Sequence, residues 1–70
     1  MIKPGDTIYT FQGEALLDLV VLEILDSLRL SAEDGDVIYT CWTVFCYETR
    51  EEAFFAMKDA MLALRRQYDF

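Results

Sequence analysis

The C-terminal part of the chain contains one amphipathic helix whose two ends are both marked in the sequence. Thr49 is followed three residues later by Glu52, the spacing of a capping box, in which the threonine hydroxyl accepts a hydrogen bond from the Glu52 amide. Glutamates in the first turn and arginines in the last turn suit the helix dipole. We therefore predict a helix over about residues 50–67. Its expected core stripe repeats at spacings of three and four residues and consists of Phe54, Met57, Met61, Leu64 and Tyr68, with Ala53 and Ala60 beside it.

Two stretches before this helix have a clear strand composition. Thr7–Phe11 is rich in β-branched and aromatic residues and follows a Lys-Pro-Gly-Asp turn signal. Residues 37–47 begin in the same way and follow Asp34-Gly35, a pair favoured in hairpin turns. We predict strands in both stretches. After Trp42, the second stretch either continues as one strand or turns back into another.

The segment between these strands, residues 15–30, fits two periodicities. Its leucine, valine and isoleucine residues recur both at helical spacing and in alternation. A hairpin at Asp34-Gly35 requires a strand before the turn, so we interpret residues 20–32 as a strand, bent or bulged near Asp26 and Ser27. A helix over residues 15–30 is the alternative and would give the order βαββα.

Together these elements predict an α+β fold. It would consist of a small antiparallel sheet of three to four strands, SH3-like or a simple meander, packed by one C-terminal helix. The 70 residues suit a single domain over residues 1–70. Hydrophobic residues make up 54% of the chain, more than a monomer of this size buries easily, so we expect a homodimer.

The net charge of −7 lies entirely before the helix. Residues 1–48 contain nine acidic and two basic residues, whereas residues 49–70 contain four of each. A field of this sign disfavours direct binding to nucleic-acid phosphate, and it attracts a basic protein surface, including one that normally holds nucleic acid. Glu33, Asp34 and Asp36 concentrate this charge beside the predicted hairpin turn.

The sequence has no pattern typical of a catalytic or metal site. It contains no histidine, and its two cysteines cannot close a structural zinc site. The acids at 33, 34 and 36 lack the spacing of a calcium-binding EF-hand loop. We therefore predict no enzymatic activity, no cofactor and no metal.

The apolar run and the two cysteines bear on whether the protein is cytoplasmic. The run from Leu16 to Leu30 is interrupted by three acids, which argues against a membrane segment, and we expect a cytoplasmic protein. Cys41 and Cys46 are then expected to be reduced and buried, with a disulfide between them as the less favoured alternative.

Aromatic and apolar residues outside the expected core stripe are candidates for partner binding. Trp42 and Tyr47 are of the type that anchors interfaces. On the helix, Phe55 and Leu62 lie seven residues apart on a second face, with Asp59 nearby; either the N-terminal loop covers this face or a partner binds it. The candidate interaction residues are Phe55, Leu62, Asp59, Trp42, Tyr47, Glu33, Asp34 and Asp36.

Several short segments together resemble a group of very small proteins from phages and gut bacteria. The segments are GDTIYT, VLEILDSLRLS, DVIYT, and TVF followed by TREEA. The resemblance implies an SH3-like or meandering sheet with a terminal helix, and a mobile-element setting. In those proteins VF and TREEA are almost adjacent, whereas Cys46, Tyr47 and Glu48 separate them here.

The expected function is therefore that of a non-enzymatic, acidic protein-interaction module encoded by a phage or mobile element. Its partner would be a basic surface of a host protein, for example a nucleic-acid-binding defence factor that the module inhibits. The alternative is a small structural homodimer or assembly subunit with no other partner.

Overall fold

The computed structural model describes the backbone of residues 1–68 and the side chains of residues 1–66. It contains four strands, a short 3-10 helix and one α-helix: β1 Thr7–Gln12, β2 Ala15–Ile24, β3 Arg29–Asp34, β4 Val37–Trp42, the 3-10 helix Thr43–Phe45, and α1 Arg50–Tyr68. The strands pair antiparallel in the order β1-β2-β3-β4. The predicted α+β fold, a meandering sheet with one C-terminal helix, is confirmed, and the βαββα alternative is wrong.

Two tight hairpins set the register of the sheet. Gln12 pairs with Ala15 across the first turn, and Asp34 pairs with Val37 across the second, so each loop has two residues. The first residue of each loop is a glycine, Gly13 in the first hairpin and Gly35 in the second, and each has a φ of 60°. A positive φ at that position is what a type II′ hairpin turn requires, and glycine adopts it without strain.

The single strand predicted over residues 20–32 is wrong, because the structure has two strands there. β2 ends at Ile24, and the carboxylate of Asp26 accepts hydrogen bonds from the amides of Leu28 and Arg29, each at 2.8 Å. These local bonds offer the backbone an alternative to sheet pairing and fold it into a turn. The bend expected near Asp26 and Ser27 is therefore present, as the turn between the two strands. A separate irregularity lies earlier, where the register of β2 shifts between Val21 and Glu23.

The strand predicted over residues 37–47 is also shorter than expected, since β4 ends at Trp42. The Thr43 amide donates to the Leu28 carbonyl at 2.8 Å, and the Thr43 hydroxyl lies 3.3 Å from the same oxygen. These bonds tie the end of β4 to the β2–β3 turn. Tyr47 then forms an antiparallel bridge with Tyr9, which returns the chain to the free edge of β1.

The hydrophobic core is built by one face of the sheet. Its buried residues are Ile8, Leu19, Val21, Leu30 and Ala32, and the partly buried residues packed against them are Ile2, Leu17, Tyr39, Cys41 and Cys46. Among the described residues, none from α1 belongs to this cluster. Because side chains alternate along a strand, the residues between the core residues point to the opposite side, which we call the outer face.

The helix packs on the outer face of β1 and β2. Arg50, the first residue of α1, forms an ion pair with Asp18, and its guanidinium carbon lies 5.9 Å from the centre of the Tyr9 ring. Tyr9 and Asp18 are paired across β1 and β2 and lie on the outer face. Ala53 and Met57 are the buried residues of α1. The helix therefore forms a second layer, on the side of the sheet away from the core.

The predicted core stripe of the helix is only partly buried. Met57 is buried, but Phe54, Met61 and Leu64 are exposed, and the side chain of Tyr68 lies outside the described residues. A helix of 19 residues is about 28 Å long, whereas the six-residue strand β1 is about 20 Å long. The helix is thus longer than β1, and an open cleft of about 560 Å³ lies between its second half and the hairpin tip. No helix in the described part of the chain is long and apolar enough to cross a membrane.

Candidate interaction surfaces

The outer face is uncovered where the sheet extends beyond α1. Val20, Glu33 and Ile38 form one row across β2, β3 and β4, as the strand register shows. Directly opposed side chains on one face of a sheet are about 5 Å apart at Cβ, so these three are neighbours. Val20 is 41% exposed and Ile38 66% exposed, while Glu33 is half-buried between them.

The same uncovered area continues toward the end of β4. Trp42 is 54% exposed and lies opposite Arg29 in the register, and Thr40 lies opposite Ser31. Glu23 joins this area after the register shift in β2, because it also pairs with Ser31. We call this surface the sheet face and define it as Val20, Glu23, Glu33, Ile38, Thr40 and Trp42.

The sheet face is acidic because the basic side chain next to it, Arg29, already forms an ion pair with Asp26. Within β2, β3 and β4, all of which the structure describes, Arg29 is the only basic residue. Its Nε and Nη2 donate to the Asp26 carboxylate at 3.2 and 3.0 Å. The amide of Leu28 and the Arg29 side chain hold the pKa of Asp26 below its ordinary value. Glu23 and Glu33 therefore determine the sign of the field at this surface.

The predicted interaction residues fall into separate places in the fold. Trp42 and Glu33 are part of the sheet face, and Asp34 and Asp36 flank the turn glycine at its edge. Tyr47 lies apart from them, half-buried in the bridge to β1.

The other three predicted residues, Phe55, Asp59 and Leu62, lie on the side of α1 that points away from the sheet. Phe55 is 57% exposed and Leu62 51% exposed. The N-terminal loop does not cover them. It is held against β2 instead, where the Gly5 amide donates to the Val21 carbonyl at 2.8 Å. The sequence left two interpretations of this helix face, coverage by the N-terminal loop or binding of a partner. The first is therefore wrong.

The two cysteines are free thiols placed next to the core. Burial raises the pKa of Cys41, and burial together with the neighbouring Cys41 raises the pKa of Cys46 to about 11. The Cys46 thiol lies 3.3 Å from the Trp42 carbonyl, toward which it donates. Because a thiol with such a pKa stays protonated at neutral pH, neither group is arranged as a nucleophile.

The remaining clefts in the described part of the chain are mainly apolar. A cleft of about 310 Å³ between β1 and β4 is lined mainly by apolar and aromatic side chains, among them Phe11, Leu17 and Phe45. The rings of Phe11 and Phe45 meet edge to face with their centres 6.4 Å apart. Among the described residues, no three His, Cys, Asp or Glu side chains are grouped so as to hold a metal ion.

Sequence reasoning missed four residues of the sheet face, namely Val20, Glu23, Ile38 and Thr40. The alternation Ile38-Thr40-Trp42 was a usable signal, because it places Ile38 on the same side as the tryptophan. Glu23 had no such signal, since the shift in register next to it reverses the alternation.

Comparison with protein families, with curated proteins and with solved structures finds no match for this chain.

Proposed function

We propose that the chain is a non-enzymatic protein-interaction module whose sheet face binds a basic surface of another protein. The observation that supports this most directly is the combination on one surface of exposed apolar side chains and acids. Val20, Ile38 and Trp42 are exposed there beside Glu23 and Glu33.

The apolar residues of the sheet face would supply most of the affinity. Trp42 and Ile38 project from an edge strand and would be desolvated together under a partner. Tryptophan at the centre of an interface is a frequent hot spot, and its removal commonly costs tenfold or more in affinity.

The acids would select the sign of the partner. Acidic residues around an apolar patch increase the association rate with a positively charged surface and disfavour negatively charged competitors such as nucleic acid. Asp34 and Asp36 at the β3–β4 turn extend the same field. In the phage or mobile-element setting that the resemblance implies, the partner would be a host protein that normally holds nucleic acid.

Affinity capture followed by quantitative binding tests this proposal. The tagged chain is incubated with a lysate of the host cell at about 50 mM salt, a retained basic protein is identified and purified, and its affinity is measured for each variant. We expect binding to weaken steeply toward about 500 mM salt, because the charges are solvent-exposed. Trp42→Ala should lower the affinity about tenfold or more.

The charge contribution has a matched control. Glu33→Gln on the sheet face and Glu48→Gln in the exposed linker before α1 remove the same charge at different places. The first should weaken binding and flatten its salt dependence, whereas the second should leave both close to the wild-type values. The proposal fails if no basic protein is retained, or if Trp42→Ala and Glu33→Gln leave the affinity unchanged.

The alternative function, a small structural homodimer, depends on a different surface of the molecule, the side of α1 that points away from the sheet.

A further inference from the structure

One side of α1 is exposed along its described length. At about 100° per residue, the residues opposite the buried pair Ala53 and Met57 form one continuous stripe. All of them are exposed. We call this stripe the far face, and it contains Glu51, Phe55, Lys58, Asp59, Leu62 and Arg66.

The far face has a self-complementary order about a point between Lys58 and Asp59. Going outward from that point, the residues at equal distances on its two sides are Lys58 and Asp59, then Phe55 and Leu62, then Glu51 and Arg66. Two antiparallel helices related by a two-fold axis bring each residue opposite its counterpart in the other copy. Every pair made in this way is either apolar with apolar or acid with base.

A parallel arrangement would have the opposite result. It would set Glu51 against the partner's Glu51 and Arg66 against the partner's Arg66, and like charges at such positions repel. The charge order therefore favours the antiparallel arrangement.

The charged residues of the far face form no ion pairs within the described part of the monomer. Among the described residues, Glu51, Asp59 and Arg66 form no ion pair. The Lys58 ammonium lies 5.2 Å from the centre of the Phe54 ring on the same helix, and it too forms no ion pair among the described residues.

Long-range charge also favours contact at this helix. Residues 1–48 contain nine acids and two bases and would repel a second copy, whereas residues 49–70 contain four acids and four bases. This C-terminal part, which has no net charge, is thus where two strongly acidic molecules approach each other with least repulsion.

We propose that the far face is the dimer interface of this protein. Two copies pair their α1 helices antiparallel about a two-fold axis between Lys58 and Asp59, with Phe55 against the partner's Leu62, Lys58 against the partner's Asp59, and Glu51 against the partner's Arg66. Contact over a stripe of about 24 Å with four apolar side chains is small by the standards of stable dimers, so the association is weak and is populated at protein concentrations on the order of 100 µM.

The apolar part is tested by two substitutions on opposite sides of the same helix. Leu62→Asp should convert the protein to a monomer in sedimentation equilibrium at that concentration. Leu64→Asp changes a similarly exposed leucine, 55% against 51%, outside the far face, and should leave dimerisation intact. Far-UV circular dichroism checks that both variants fold. Loss of the dimer in Leu64→Asp but not in Leu62→Asp would assign the interface to the other side of α1 and overturn the proposal.

The antiparallel register is tested by charge reversal in the middle of the helix. Lys58→Asp sets two acids of each copy against two acids of the other, and Asp59→Lys sets bases against bases, so each variant alone should dimerise about 10- to 30-fold more weakly. In an equimolar mixture every contact across the axis is again acid with base, and heterodimers should form at least as readily as the wild-type dimer. A mixture that associates no better than its components would overturn the register, and a wild-type chain that stays monomeric at 1 mM would overturn the interface.

The sheet face takes no part in this inference. Self-association of the purified chain and capture of a basic partner are separate measurements, so either proposal can fail without the other.

Discussion

The assignment of the two sheet faces can be tested by making one substitution at two adjacent residues. Val20 and Val21 follow each other in β2, but Val20 is 41% exposed on the sheet face and Val21 is 2% exposed in the core. Threonine has nearly the shape of valine and suits a strand, so Val→Thr creates no cavity and differs mainly in adding a hydroxyl. At position 21 the hydroxyl becomes buried, at a cost of about 1–3 kcal/mol, whereas at position 20 it meets water and should cost less than about 0.5 kcal/mol.

These costs are large relative to the stability of so small a domain, which is about 3–5 kcal/mol. With a urea dependence of about 1 kcal/mol per molar, Val21→Thr should lower the unfolding midpoint by about 1–3 M and Val20→Thr by less than about 0.5 M. Unfolding is followed by circular dichroism of α1 and by fluorescence of Trp42. All proteins are compared at one concentration, because self-association would add to stability. Equal losses for the two variants would place Val20 in the core and remove the sheet face as a binding surface.

Three further measurements probe local features. Thr49→Ala removes the hydroxyl that accepts the Glu52 amide at 3.2 Å and should lower the free energy of unfolding by about 1 kcal/mol in the same urea assay. Alkylation of Cys46 by iodoacetamide at pH 8 should be at least about tenfold slower in the folded protein than in urea, because burial raises its pKa from 9.0 to about 11; equal rates would contradict that burial. The pKa of Asp26 is lowered, so its contribution to stability is present above its ordinary value of 3.8 and is lost as pH falls through the lowered pKa; thermal melts should show a smaller loss on acidification for Asp26→Asn than for the wild type.

Features that depend on neighbouring residues could be predicted from the sequence. The helix was expected over about residues 50–67 and occupies Arg50–Tyr68, because its cap and terminal charges are local. The Thr49 hydroxyl accepts from the Glu52 amide as predicted, although within the described residues the Glu52 carboxylate makes no return bond. The hairpin at Asp34-Gly35 was predictable for the same reason, since glycine supplies the positive φ of its turn.

Features that depend on distant residues could not be predicted in the same way. Periodicity identified one apolar stripe on α1, but it could not show that an open cleft separates the second half of that stripe, at Met61 and Leu64, from the hairpin tip. Nor could it show that α1 lies on the outer face, where Ala53 and Met57 are buried and Arg50 pairs with Asp18, 32 residues away in the sequence.

The two candidate interaction surfaces differ in the same way: one depends on neighbouring residues and the other on distant ones. Phe55 and Leu62 were recognisable from their spacing within one helix, and both are exposed. The row of Val20, Glu33 and Ile38 depends on the pairing of three strands, and an error of one residue in that pairing would turn each side chain to the other face. The prediction of one strand over residues 20–32 had a different cause: it missed the turn at Asp26, which composition does not distinguish from a strand.

The two proposed surfaces, if both are correct, have a combined consequence. The far face points away from the sheet, so a dimer formed through it leaves the sheet face of each copy uncovered. A partner with two basic sites would then be held at two places, and the second contact would benefit from the effective concentration set by the first, which can raise the overall affinity by about 10²–10⁴. A partner with one site would gain almost nothing. Leu62→Asp, which changes no residue of the sheet face, should therefore weaken the capture of a dimeric or repetitive partner strongly and that of a single-site partner hardly at all.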